Sequence, residues 1–91
     1  MVAAVVLIRS VPGDIPALAR QIAGIDGVAE VYSVSGEYDL IGIVRVPEYN
    51  DVARVVTEEI AKIPGIERTN TLTAFRVYSK QDLERAWDMF E

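Results

Sequence analysis

Two stretches, Val2 to Ile8 and Asp39 to Val46, are apolar almost without interruption, a pattern that suits strands covered on both faces better than short helices. A helical stripe follows each. After the break at Val11-Pro12-Gly13-Asp14, with Asp14 placed to cap, Ile15, Leu18, Ile22 and Ile25 recur along one helix face. After Pro47 to Asp51, with Asn50 as the cap, Val52, Val55, Val56, Ile60 and Ile63 do the same. Val28 to Ser35 mixes Glu30, Tyr32 and Ser33 with Val31 and Val34 and reads as an edge strand. Ile66 to Tyr78 sets Thr69, Thr71, Thr73, Phe75 and Val77 on one side and Asn70, Leu72, Ala74, Arg76 and Tyr78 on the other, which suits the opposite edge.

The two halves share a phrase. Ile22-Ala23-Gly24-Ile25-Asp26-Gly27-Val28 returns as Ile60-Ala61-Lys62-Ile63-Pro64-Gly65-Ile66, 38 positions later. In each copy a helix ends, a glycine follows where an exiting chain often needs a left-handed residue, and a β-branched residue opens the next strand. The chain is therefore read as two βαβ units joined by a hairpin at Gly36-Glu37. Right-handed units of this kind, with the first and third strands central, give a ferredoxin-like βαββαβ fold of the α+β class, a four-stranded antiparallel sheet backed by two helices on one face. The second face then stays open although its central strands are apolar, which predicts a dimer formed sheet to sheet.

Residues 1–79 form this domain, and residues 80–91 read as an additional C-terminal helix. Ser79 is its cap, Asp82 lies three residues on, and Leu83, Ala86, Trp87 and Phe90 share one face. That stripe suits packing on the same protomer or on a neighbour, or an arm that builds larger assemblies.

Composition narrows the chemistry. A chain of 91 residues has room for one core and buries only roughly 60–65% of its unfolded surface, so self-association is favourable. Fourteen acidic against nine basic residues leave a formal charge of −5, with a pI near 4.6, which repels a phosphate backbone. With no Cys and no His, the chain lacks disulfides, thiolate nucleophiles, imidazole bases and soft zinc ligands, and nothing calls for a cofactor. The opening Met1-Val2-Ala3-Ala4 lacks a signal peptide's basic start, and the apolar run stops at Arg9, too short to span a bilayer, so a soluble cytoplasmic protein is expected. Among ferredoxin-like proteins, metal carriers use a Cys-rich loop, and RNA binders use strand aromatics on a basic surface; neither fits.

What remains is Ser35-Gly36-Glu37-Tyr38-Asp39-Leu40 between the edge strand and the second central strand, and Arg68-Thr69-Asn70-Thr71 in the last strand. In order, Gly36-Glu37-Tyr38-Asp39, Pro64-Gly65-Ile66 and Thr69-Asn70-Thr71 resemble the effector-binding (RAM) half of the Lrp/AsnC family of transcription regulators, over roughly residues 2 to 79. That half carries a Gly-x-(Tyr/Phe)-Asp segment after its second strand, a Pro-Gly-Val-like step after a helix, and a Thr-x-Thr stretch in its fourth strand. Two departures stand beside the matches. With its first strand beginning at Val2, the chain is expected to lack the helix-turn-helix half and reads as a stand-alone effector domain, and Ser35 stands where the family often has Thr. The resemblance implies dimers through the sheets (a dimeric α+β barrel), rings of dimers such as an octamer, and a free amino acid or similar small effector bound between dimers. It also implies a possible full-length Lrp/AsnC regulator as partner, with no direct contact to nucleic acid and none to a membrane.

A zwitterionic amino acid needs an acceptor for its ammonium and donors for its carboxylate. On this reading Asp39 takes the ammonium, Gly36 and Tyr38 give loop backbone contacts, and Thr69 or Thr71 meets the carboxylate, one of them from a neighbouring subunit. Each residue also has a purely structural reading: Gly36 turns a hairpin, Asp39 caps the turn, and the threonines are ordinary strand formers. Two functions stand beside each other. One is an amino-acid-binding and oligomerisation module that modulates transcription of amino acid metabolism. The other is a small dimeric α+β barrel enzyme, monooxygenase-like, in which Tyr32, Tyr38 or Tyr78 lines a cavity for a hydrophobic substrate, with Glu30, Glu37 and Asp39 as the nearest candidates for a base.

Overall fold

The computed structural model describes residues 1–78 and 80. Strand β1 (Val2–Ser10) leads into helix α1 (Ile15–Ala23), strand β2 (Val28–Ser33) and strand β3 (Leu40–Val46). Helix α2 (Tyr49–Ala53) continues directly as a π-helical segment (Arg54–Ile60), and strand β4 (Ile66–Thr73) closes the fold. The sheet order is β2-β3-β1-β4 with every neighbour antiparallel, so the apolar strands are central and the mixed ones lie at the edges, as their patterns require. This is the ferredoxin-like α+β architecture. The expected C-terminal helix and its Ser79 cap lie outside the described residues, Lys80 excepted.

The central strands alternate between two environments. Ala4, Val6 and Ile8 of β1 and Leu40, Val44 and Val46 of β3 are buried against the helices, where they meet Ile22, Val52, Val55, Ile60 and Ile63. Their neighbours Val5, Leu7, Ile41 and Ile43 point the other way and are only half-buried, and Leu72 and Tyr32 beside them are about half exposed at 52% and 50%. The continuous apolar run thus encodes one face closed by helices and one left uncovered by the described residues.

The repeated phrase folds the same way twice. Ile25 and Ile63 donate their backbone N–H to Ile22 and Ile60 (3.0 and 3.1 Å), and Val28 and Ile66 donate to Ile25 and Ile63 (3.1 and 3.3 Å). Gly27 and Gly65 take the left-handed conformation at φ 102° and 97°, whereas Gly24 is right-handed at φ −79°. At Gly27 the space is as demanding as the torsion, since a Cβ would lie 2.9 Å from side-chain carbons of both Val46 and Val55.

Asp14 caps α1, its carboxylate accepting the Ala17 N–H at 3.1 Å. The expected cap at Asn50 is not used; the cap is Glu48, two residues earlier, and Asp51 accepts the Glu48 N–H at 3.2 Å. The π winding replaces the expected regular α-helix. Val55 and Ile60, five residues apart, are both fully buried, and the segment that carries them is wound with i→i+5 hydrogen bonds. The Ala61 N–H accordingly bonds to the Val56 carbonyl at 2.9 Å, and Arg54 meets Glu59, also five residues on, at 3.7 Å. Val56 is left half-buried.

The last strand is shorter than expected because its partner runs out. Thr73 pairs with Ala4 and the Ala74 N–H reaches the Ala3 carbonyl, after which only Val2 of β1 remains, and Phe75, Val77 and Tyr78 are 95%, 65% and 84% exposed. Similarly β2 stops at Ser33, where the Val34 N–H turns to the Asp39 carbonyl.

Two of the left-handed glycines, Gly27 and Gly36, separate torsion from crowding. At Gly36 (φ 121°) nothing lies within 4 Å of an added Cβ. Gly36→Ala should cost only backbone strain, about 1–2 kcal/mol, whereas Gly27→Ala adds overpacking and should cost roughly 2–4 kcal/mol. Thermal unfolding checks this: each kcal/mol lowers Tm by roughly 4–8 °C in a domain of this size, and equal losses at the two sites would contradict the packing.

Candidate functional site

The β2–β3 turn, residues 34–39, is pinned to the centre of the sheet at Asp39. Its backbone N–H donates to the Ile8 carbonyl at 2.9 Å, and its carbonyl accepts from Val34 at 3.1 Å. Its carboxylate Oδ2 accepts the Ser10 backbone N–H at 2.8 Å and lies 3.4 Å from the Ser10 hydroxyl. Ser10 sits at the bulge where the β1–β4 register shifts, and Asp39 satisfies the amide there. The turn is therefore held at a fixed height above the sheet end, with Gly36 at its exposed tip.

Tyr38 points across the sheet toward β4, where Arg68 Nη2 donates to its hydroxyl at 3.4 Å. Arg68 in turn lies directly opposite Arg9 in the β1–β4 register. Both arginines are exposed, and among the described residues neither has a carboxylate within ion-pair distance. Like charges placed opposite each other in a sheet are destabilising, so this end of the sheet carries uncompensated positive charge beside the Asp39 carboxylate. In the sequence Arg68 stands out only as part of a run, and Arg9 only as the end of an apolar stretch. The available signal is a cation ending each of two strand patterns, and it needs the register to become a pair.

Thr69 and Thr71 lie on the other face. They pair with Ile8 and Val6, both fully buried under the helices, so their side chains are on the helix side while Arg68 and Asn70 project to the open side. Thr71 is three residues along and two strands across from the Asp39 row, a separation of roughly 14 Å from the strand rise and spacing. A small ligand held at Asp39 cannot reach Thr71 of the same protomer. Gly36, Tyr38 and Asp39 thus form one group, with Arg68, Arg9 and Ser10 beside it, and Thr71 belongs elsewhere.

That second place is a groove of about 300 Å³ between α2, the π-helical segment and β4, lined by Tyr49, Val52, Ala53, Val56, Thr57, Thr71 and Thr73. Thr57 does not offer its proton to the groove, since its hydroxyl donates to the Ala53 carbonyl at 2.6 Å. A smaller pocket of about 150 Å³ lies beyond Ser10, walled by Val11 to Ile15, Leu18, Pro64 and Gly65.

The three tyrosines of the enzyme reading do not converge. Tyr32 lies on β2, Tyr38 reaches to β4 at the opposite edge, and Tyr78 is 84% exposed. The Tyr32 phenol is pushed above its ordinary pKa, first by its hydrogen bond to Glu30 and then by that carboxylate's charge, the direction opposite to that of an activated base. Among the described residues no three Asp or Glu side chains gather in a way that could hold a metal ion, and no helix is long and apolar enough to cross a membrane.

Comparison with known proteins decides the family. The profile of the Lrp/AsnC ligand binding domain matches residues 3–83, nearly the whole chain. The chain belongs to the Lrp/AsnC ligand-binding domain family. A Thermus thermophilus protein, TTHA0845, superposes with a TM-score of 0.82 at 46% identity, over 88% of this chain and 100% of that one. The HTH-type transcriptional regulator LysM of Saccharolobus solfataricus is 34% identical over 76 residues, 82% of this chain and 53% of its own. This chain therefore spans about half the length of that regulator. The fold extends to the transcriptional regulator NMB0573 of Neisseria meningitidis, whose structure is a complex with L-Met, at a TM-score of 0.76 and 12% identity over 86% of this chain and 52% of that one. Within the Lrp/AsnC frame, the Gly36-Glu37-Tyr38-Asp39 turn stands after the second strand, where the family motif was expected.

The Asp39–Ser10 contact gives a stability test independent of any ligand. Asp39→Ala leaves the Ser10 amide without its acceptor and should cost roughly 1–2 kcal/mol, whereas Asp39→Asn keeps an oxygen in place and should cost less than about 1 kcal/mol. Chemical denaturation of the two variants measures the difference, and identical losses would show that the charge, not the acceptor, matters at this contact.

Proposed function

We propose that this chain is the effector-binding and oligomerising module of an Lrp/AsnC-type regulatory system, that it binds a free amino acid or similar small effector between subunits, and that it is not an enzyme. The single observation that carries this reading is the rigid placement of the Gly36–Asp39 turn, with one carboxylate oxygen of Asp39 bonded to Ser10 and the other without a hydrogen-bond partner among the described residues. Family membership over residues 3–83 gives that geometry its context, and the L-Met complex of NMB0573 supplies an amino acid as the ligand class in a protein of the same fold. In this reading Asp39 receives the effector's ammonium, and Gly36 and Tyr38 shape the loop around it. Thr69 and Thr71, being on the helix side, act only on an effector presented by an adjoining subunit.

Assembly follows from the uncovered face. Val5, Leu7, Ile41, Ile43 and Leu72 form a half-exposed apolar surface that a second copy would bury sheet to sheet, the closed arrangement a two-fold dimer provides. Rings of such dimers, octamers among them, would place one protomer's turn beside another's β4. Since relatives such as LysM are named as HTH-type transcriptional regulators, the module acts in the cytoplasm on transcription of amino acid metabolism, through mixed assembly with a full-length regulator rather than by touching DNA itself.

A thermal-shift screen against the twenty L-amino acids at millimolar concentration tests the reading. A ligand at 100 times its dissociation constant adds roughly 2.7 kcal/mol to stability, so one or a few amino acids should raise Tm selectively, and Asp39→Asn should lose that rise while its own Tm stays near wild type. A flat screen, or a rise that survives Asp39→Asn, contradicts it.

A further inference from the structure

Three charged side chains stand in one row at the end of the sheet, and they do not balance. Asp39 immediately precedes Leu40, the last residue of β3 paired with β1, and its carboxylate accepts the Ser10 amide, which places it beside Arg9; Arg9 is opposite Arg68. Asp39, Arg9 and Arg68 therefore lie side by side at the end of the sheet where β3, β1 and β4 meet, about 10 Å from end to end at ordinary strand spacing. The row contains one negative and two positive groups in a protein whose overall charge is −5. Nearby acids do not correct this. Glu37 is exposed in the turn, Glu67 is the extra residue of the β1–β4 bulge, and among the described residues neither reaches either arginine within ion-pair distance.

The open face shows the same bias. Among the described strand residues, Arg9, Arg45 and Arg68 project there against Glu30. Arg45 lies at the far end, opposite Ala3, so only Arg9 and Arg68 share the end that holds Asp39 and Tyr38. Tyr38 links the two halves of the row: it is the neighbour of Asp39 in sequence, and its hydroxyl accepts from Arg68 at 3.4 Å.

We infer that the effector is an acidic amino acid, glutamate or aspartate, with its ammonium on Asp39 and its two carboxylates on Arg9 and Arg68. This rests on the effector-binding reading above and adds the chemical class of the ligand. A neutral amino acid supplies one positive and one negative group, which pairs Asp39 and one arginine and leaves the second cation facing its like. An acidic amino acid carries one positive and two negative groups, the complement of the row. Guanidinium groups suit the purpose because each offers a planar fork of donors to a carboxylate. The threonines, by contrast, lie behind the sheet and offer no donors to this row.

Titration calorimetry of the full chain with L-glutamate, L-aspartate, L-glutamine and L-asparagine tests the inference, because each amide keeps the size and shape of its acid while losing the second negative charge and replacing an acceptor oxygen with a donor. The acids should bind at least tenfold more tightly than their amides, with the margin shrinking as salt screens it. Arg9→Gln and Arg68→Gln, both exposed sites, should each bring the acid-to-amide ratio close to one, with far-UV circular dichroism reporting that the fold is kept. Equal or tighter binding of the amides, or a preference for acids that survives both arginine substitutions, overturns the inference and leaves the effector reading standing. Binding of no amino acid at all, by calorimetry and thermal shift together, overturns both.

Discussion

A four-stranded sheet has two faces, and a chain this short carries only enough helix among its described residues to close one. Every other feature depends on that shortage. On the closed side, Ile22 from α1 and Val52, Val55 and Ile60 from the second helix pack onto alternate residues of β1 and β3, all nearly inaccessible to water. Burying a side chain of this kind stabilises by about 1.5–3 kcal/mol, and the same atoms left on the open side contribute little until something covers them. The chain nevertheless places Val5, Leu7, Ile41 and Ile43 there. A monomer would gain solubility and lose nothing by making those positions polar, and their apolar character supports the proposed partner surface.

The same sheet positions the site. Because β1 pairs with β3 on one side and β4 on the other, a turn leaving β3 and a cation on β4 are brought to the same end with β1 as the fixed rail between them. Asp39 is fastened to that rail through backbone and side chain alike. The flanking ladder offsets the cost of exposing Gly36 in a left-handed turn, and the loop need not be ordered at the moment of binding. Pre-organisation of this kind raises affinity by removing ordering costs.

Much of this is legible in the residues. Unbroken apolar runs mark the central strands, stripes at helical spacing mark the helices, and the repeated phrase marks the duplication, which the structure reproduces down to matching hydrogen bonds and left-handed glycines. Where sequence and structure part, the cause is tertiary. The stripe of Val52, Val55, Val56 and Ile60 has ordinary α-helical spacing, yet residues 54–60 wind as a π-helix, since local periodicity does not reveal which of two close frames the core will accept. The last strand ends before its alternation does because its end is set by where β1 begins. At the site, Gly36, Tyr38 and Asp39 are recognisable from their motif. The separation of Thr71 from Asp39 and the facing of Arg9 and Arg68 depend on register, and a one-residue slip would reverse every side chain involved.

The open face is decisive, because the proposed assembly of copies depends on it. Sedimentation equilibrium of the purified chain across micromolar concentrations measures this most directly, with Leu7→Asp as the control that places a charge at the centre of that face. The wild type should form a dimer or a multiple of it, and the variant should be a folded monomer or show sharply weakened association. A wild-type chain that stays monomeric at high concentration, or a variant that assembles as well as wild type, would contradict the role given to that face.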